Sequence, residues 1–103
     1  MEDFKKLLRH MEEELEGAMS YAKMASCYSS YNPQAATTFT QMSMEELNHA
    51  TNLKNLAETE VKKHVESKSD HADAMKTLFD FEHEKYTEMA AEINGYKMAM
   101  GKK

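Results

Sequence analysis

Residues 44–53 read MEELNHATNL, a run with the apolar spacing of an amphipathic helix. Successive residues of an α-helix are rotated by about 100° about its axis, so the members of one face can be found by arithmetic. Glu46 then lies within the apolar stripe, and His49 lies about 60° from it. The apolar residues within about 40° of Glu46 are Phe39, Met42, Ala50, Leu53 and Ala57. A glutamate and a histidine on this face need partners, because burying an unpaired carboxylate is costly.

The composition is typical of an all-helical protein with one domain. The chain has 103 residues, 41% hydrophobic and 30% charged, with three glycines, one proline and no tryptophan. This scarcity of helix breakers favours an all-α fold, and the length suits one domain. Such a domain buries about 65% of the surface that its unfolded chain exposes. We therefore expect a modest core, which a metal or a second chain would supplement.

Charge and cysteine content argue against several classes of function. The formal net charge is -5, so we expect no basic surface for nucleic acid. Cys27 is the only cysteine, which rules out an intrachain disulfide. With no signal peptide or transmembrane run in the pattern, we predict a cytoplasmic protein that does not contact a membrane.

Two breaks interrupt the helical pattern. In SSYNPQAA, Asn32 is suited to cap a helix and Pro33 to begin it. In ESKSDHADA, Ser69 or Asp70 is suited to cap another helix. We predict helices over roughly residues 2–30, 33–66 and 70–99, in one domain over residues 1–100 with a frayed tail at residues 101–103.

Each predicted helix has one glutamate inside its apolar stripe. In the first helix it is Glu14, which has Leu7, Met11, Ala18 and Tyr21 within about 60°. In the third it is Glu82, which has Met75, Leu78, Tyr86, Met89 and Ile93 within about 40°. Converging carboxylates repel one another, and a multivalent cation would offset that repulsion. Lys85 could neutralise one of them.

Other acidic residues and one further histidine fall away from these stripes. Glu12, Glu13 and Glu16 lie about 100° or more from Glu14, so we expect them to be solvated. Asp80 and His83 imitate the Glu-x-x-His spacing on the third helix but face away from Glu82, and we expect them to be solvated too.

Three short stretches resemble ferritin-like proteins. The run EGAMSYAKMA, preceded by Glu14, resembles the first metal-binding helix of that superfamily. The run EELNHA resembles its Glu-x-x-His helix, and EHEKYTEMA is similar to the third helix of rubrerythrins. The resemblance implies a four-helix bundle around two iron ions.

The resemblance also implies roles for individual residues. Glu14 would be a metal ligand, Glu46 a bridging carboxylate and His49 a terminal ligand. Glu82 would be a further ligand, and Tyr21 would support a ligating carboxylate. In an oxidase of this kind, the catalytic residues would be Glu14, Glu46, His49 and Tyr21.

The chain departs from the family pattern in several ways. It lacks a fourth helix with a second Glu-x-x-His, and Lys85 stands where rubrerythrins have a glutamate. Encapsulated ferritins are similarly short, and two of their chains share one di-iron site. By that analogy, a homodimer or larger oligomer would complete the bundle and bind iron or manganese. The run KMAMGKK does not resemble a targeting tail, so residence in an encapsulin shell stays open.

Two hypotheses about function follow. The first is an iron-binding ferroxidase, for iron storage or detoxification, that oxidises Fe(II) with oxygen or peroxide at a site shared by two chains. The alternative is a helical-bundle module for structure or interaction, in which Glu46 and His49 form a polar pair without a metal.

Overall fold

Three helices make up most of the computed structural model, which describes residues 1–101. They are α1 (Glu2–Tyr28), α2 (Pro33–Glu66) and α3 (Ala72–Gly101). The predicted all-α class is confirmed, and residues 1–101 contain no strand. The last helix continues to Gly101, and Lys102 and Lys103, which complete the predicted frayed tail, lie outside the described residues.

The turn before α2 and the turn before α3 start the following helix in different ways. Asn32 caps α2 as predicted, since its Oδ1 atom accepts a hydrogen bond of 3.1 Å from the Ala35 amide. The predicted cap of α3 is wrong, because the helix begins at Ala72, after His71. The Ser69 hydroxyl instead accepts from the His71 amide at 3.1 Å, within the turn that precedes the helix.

The helices run alternately up and down along a rod of 55 × 20 × 14 Å. Glu14 contacts His49, and Ala18 contacts Ser43, so α1 and α2 form an antiparallel hairpin. Glu12 contacts Lys85, and Ile93 packs with Ala18 and Ala22, so α3 runs parallel to α1. All three helices touch one another, since Thr51 on α2 also hydrogen-bonds to the Tyr86 hydroxyl on α3 at 2.6 Å.

A continuous line of buried side chains on α1 forms the centre of the core. It consists of Phe4, Leu8, Met11, Leu15, Ala18, Ala22 and Ala25. On α2 the buried residues are mostly small: Ala36, Ser43, Ala50, Ala57 and Val61. Small side chains let two helix backbones approach closely, and the Ser43 hydroxyl donates a hydrogen bond of 2.6 Å to the Ala18 carbonyl across this contact.

Two expectations about the surface concern Cys27 and membranes. Cys27 is exposed and unpaired, which agrees with its predicted position off the apolar stripe. No helix within residues 1–101 is both long and apolar enough to span a membrane.

Candidate metal centre

Three of the predicted ligands meet between α1 and α2. Glu14, Glu46 and His49 each offer one ligand atom, and these atoms all lie within 4.8 Å of one another. The Nδ1 atom of His49 is 3.4 Å from Glu14 Oε2 and 4.0 Å from Glu46 Oε1. Because Glu46 and His49 are three residues apart, they share one face of α2, and the antiparallel crossing brings Glu14 to that face.

The cluster lies at the edge of the core rather than at its centre. The side chains of Glu14, Glu46 and His49 are 30%, 31% and 56% exposed. The fully buried Leu15 lies about 100° round α1 from Glu14. Glu14 therefore lies at the edge of the buried line of α1, because that line is centred on Met11, Leu15 and Ala22, about 60–100° round the helix from Glu14.

The two carboxylates of the cluster are close enough to affect each other. The pKa of the Glu46 carboxyl is raised above its usual range, first by a hydrogen bond that it shares with Glu14, then by burial and the negative charge of Glu14, while His49 opposes the rise. Glu14 Oε2 is buried and has no hydrogen-bond partner among the described residues. The site thus concentrates negative charge that its own polar groups do not fully satisfy.

Gly17 belongs to this site, although the sequence patterns did not indicate it. A β-carbon at Gly17 would lie 3.0 Å from Glu46 Oε2 and 3.6 Å from Glu46 Cδ. The missing side chain therefore leaves room for the Glu46 carboxylate against α1. A glycine in the middle of a long helix, three residues after a candidate ligand, is the signal that could have found it.

Glu82 lies in a second cluster and is not among the residues grouped around His49. Its Oε1 atom is 3.9 Å from Lys85 Nζ, and the same Nζ is 3.3 Å from Glu12 Oε1. Burial raises the pKa of the Glu82 carboxyl, Glu12 adds to the rise, and Lys85 opposes it. Lys85 thus lies where it can neutralise Glu82, as predicted. Glu12, which we expected to be solvated, is only 35% exposed and pairs with Lys85.

Tyr21 and His83 make ring contacts that the patterns did not predict. Tyr21 stacks on Phe39 with ring centroids 6.1 Å apart, and within residues 1–101 its hydroxyl does not hydrogen-bond to a carboxylate. His83 stacks between Phe79 and Tyr86, with centroids 5.6 Å and 6.2 Å away. The prediction that His83 is solvated is wrong, because its Nδ1 atom is buried.

Fold and site together define an all-helical protein with a carboxylate and histidine cluster on one edge of a helical hairpin. No family model matches the chain, and no curated protein or solved structure matches it either.

Proposed function

We propose that this chain binds iron or manganese through Glu14, Glu46 and His49, and that two copies of it form a site that oxidises Fe(II). The observation that carries the proposal is the meeting of three ligand atoms, from two helices, within 4.8 Å of one another. Carboxylate oxygen and imidazole nitrogen are ligands that suit both metals.

The electrostatics of the cluster support a cation there. The raised pKa of Glu46 indicates that its negative charge is disfavoured beside Glu14. The buried Glu14 Oε2 has no hydrogen-bond partner among residues 1–101 and lies 3.4 Å from His49 Nδ1, so one ion could contact both atoms. Gly17 leaves room in which the Glu46 carboxylate can approach its neighbour. A divalent ion would offset both the repulsion between the two carboxylates and the cost of burying the unpartnered Glu14 oxygen.

The position of the cluster supports a site shared by two chains. Three side-chain ligands are too few to surround an iron ion, and His49 is more than half exposed, at 56%. Met42 and Leu56 lie seven residues before and after His49, so they are within about 20° of it round α2. Leu56 is 57% exposed. A second copy that covered this line would bury it and bring the ligand set to four carboxylates and two imidazoles.

In the proposed reaction Fe(II) is the substrate. Two Fe(II) ions would each give up one electron, and peroxide would accept both while its O–O bond breaks to yield two hydroxide ions. With dioxygen as oxidant, two electrons and two protons would yield hydrogen peroxide. Glu14 and Glu46 would favour the more highly charged Fe(III) product electrostatically, and neutral His49 would orient the ions. A reducing cytoplasm, as the single cysteine suggests, would supply Fe(II).

An anaerobic titration of the metal-free protein with Fe(II) tests the proposal. We expect about one tightly bound ion per chain in the wild type and none in a Glu46→Ala, His49→Ala variant. A His10→Ala, Glu13→Ala variant is the matched control, because it removes an exposed pair of the same residue types, 3.5 Å apart, elsewhere on α1. No tight binding by the wild type, or equal loss in both variants, would contradict the proposal.

The same samples test oligomerisation and oxidation. Sedimentation equilibrium should give a dimer or a larger assembly, and Fe(III) should form when oxygen or peroxide is added. A protein that binds iron as a monomer would contradict the shared site, and binding without oxidation would leave metal binding as the function.

The alternative is a bundle module without a metal. It is favoured by the position of His49, which, when protonated, can pair with Glu14 at 3.4 Å and Glu46 at 4.0 Å. On that hypothesis the Glu46→Ala, His49→Ala variant should weaken self-association, and Fe(II) should affect neither protein.

A further inference from the structure

We infer that Gly17 is a positioning residue, which holds the Glu46 carboxylate against α1 beside Glu14 by leaving space where any other residue would have a β-carbon. The inference deepens the proposed function and rests on it for the consequence in metal binding. The contact itself is a property of the metal-free protein.

Gly17 and Gly95, which both lie inside helices, have different surroundings. At Gly17 an added β-carbon would lie 3.0 Å from Glu46 Oε2, 3.6 Å from Cδ and 3.7 Å from Cγ. At Gly95, in α3, nothing lies within 4 Å of such an atom. A carbon-to-oxygen approach of 3.0 Å is rare in proteins, so a side chain at Gly17 would displace the carboxylate, and one at Gly95 would displace nothing.

Displacement of Glu46 would matter because its carboxylate lies between Gly17 and the other two members of the cluster. Gly17 lies three residues after Glu14 and thus on the same face of α1. A β-carbon there would push the Glu46 carboxylate outward from α1 by a few tenths of an ångström. The ligand atoms of Glu46 and Glu14 would then be held less closely in the positions that they share around an ion.

Replacement by alanine should therefore have two effects of opposite sign. Alanine is a better helix former than glycine, so Gly17→Ala should raise the melting temperature of the metal-free protein by about 4 °C or more. Metal affinity should fall by about 10- to 100-fold, as it does when groups that orient ligands are changed. A residue with a purely structural role would move stability and affinity in the same direction.

The first experiment compares Gly17→Ala with the matched control Gly95→Ala. Melting is followed by circular dichroism, and Mn(II) binding by calorimetry, because Mn(II) does not oxidise during the titration. We expect both variants to melt higher than the wild type and only Gly17→Ala to bind Mn(II) more weakly. Equal affinity in the wild type and Gly17→Ala would overturn the inference and leave the proposed function intact. Absence of Mn(II) and Fe(II) binding by the wild type would overturn both.

A second measurement tests the contact without metal. In the wild type, nuclear Overhauser effects should connect the α-protons of Gly17 with the γ-protons of Glu46, and their absence would overturn the inference. In a Glu46→Asp background, where the carboxylate is shorter by one methylene, Gly17→Ala should lower Mn(II) affinity by less than about twofold. A full loss in that background would show that Gly17 acts through something other than Glu46.

Discussion

The Nδ1 atom of His49 lies 3.4 Å from Oε2 of Glu14, and this contact joins α2 to α1 near the middle of both helices. A protonated His49 would partly neutralise the two carboxylates in the metal-free protein. An imidazole binds a metal only in its neutral form, so a metal ion bound to His49 would displace that proton. The cluster therefore couples metal binding to pH.

The first prediction concerns this coupling. The pKa of Glu46 is raised above its usual range, chiefly by its hydrogen bond with Glu14, so protons compete with a metal for this ligand at a higher pH than is usual for a carboxyl. We expect apparent Mn(II) affinity to rise with pH as the Glu46 carboxyl loses its proton. Calorimetry at several pH values, in buffers of different ionisation enthalpy, would measure the affinity and the protons released. Affinity that does not change between pH 5 and pH 8 would contradict the prediction.

The second prediction concerns stability in the presence of metal. Free Mn(II) at about 100 times its dissociation constant should raise the free energy of unfolding by about 2.7 kcal/mol, because the folded state alone has the site. His49→Ala should lose most of this gain, and His10→Ala should keep it. Urea unfolding with and without Mn(II) provides the comparison. An equal gain in all three proteins would place the ion elsewhere.

The third prediction concerns Glu82 in the metal-free protein. Burial raises the folded-state pKa of Glu82 above the ordinary value of 4.5. Folding is thus favoured by its protonated form, and this contribution is full below pH 4.5 and is lost as pH rises through the raised pKa. Glu82→Gln should therefore be more stable than the wild type at pH 7, with a smaller difference at pH 4.

Urea unfolding of both proteins across this range measures the effect. Glu84→Gln, a change at an exposed neighbour on α3, controls for the loss of one negative charge. A Glu82→Gln variant that is less stable than the wild type at pH 7 would mean that the ion pair with Lys85 outweighs burial.

The fourth prediction concerns the close contact of α1 and α2 beside the site. Ser43 is buried, and its hydroxyl donates to the Ala18 carbonyl at 2.6 Å. Ser43→Ala should cost about 1 kcal/mol and leave metal binding unchanged. Ser43→Val should cost about 1–3 kcal/mol more, because its added methyl group forces the helices apart. Calorimetric titration of Ser43→Val should then show weaker Mn(II) binding, and unchanged affinity would mean that the site tolerates the wider spacing.

Helical periodicity was sufficient for the secondary structure and for the pairing of Glu46 with His49 on one face of α2. The breaks at Asn32 and near Ser69 separated three helices whose bounds agree with the structure to within a few residues. The spacing of Glu46 and His49 put both on one side of α2, and an antiparallel partner brought Glu14 to them. The helices and the shared face of Glu46 and His49 are local features, because they depend on about 100° of rotation per residue and on turn-forming side chains. The approach of Glu14 is not local, because it needs α1 to pack against that face.

Only the tertiary structure decided which part of each helix's apolar stripe is covered by the other two helices. Periodicity places Lys85 beside Glu82 on α3, but only the position of α3 against α1 brings Glu12 to within 3.3 Å of Lys85. In the same way, only the distance between α1 and α2 makes Gly17 part of the site. The physical reason is that a sequence pattern describes one helix at a time, whereas the rotation and spacing of helices are set by how all their side chains pack together.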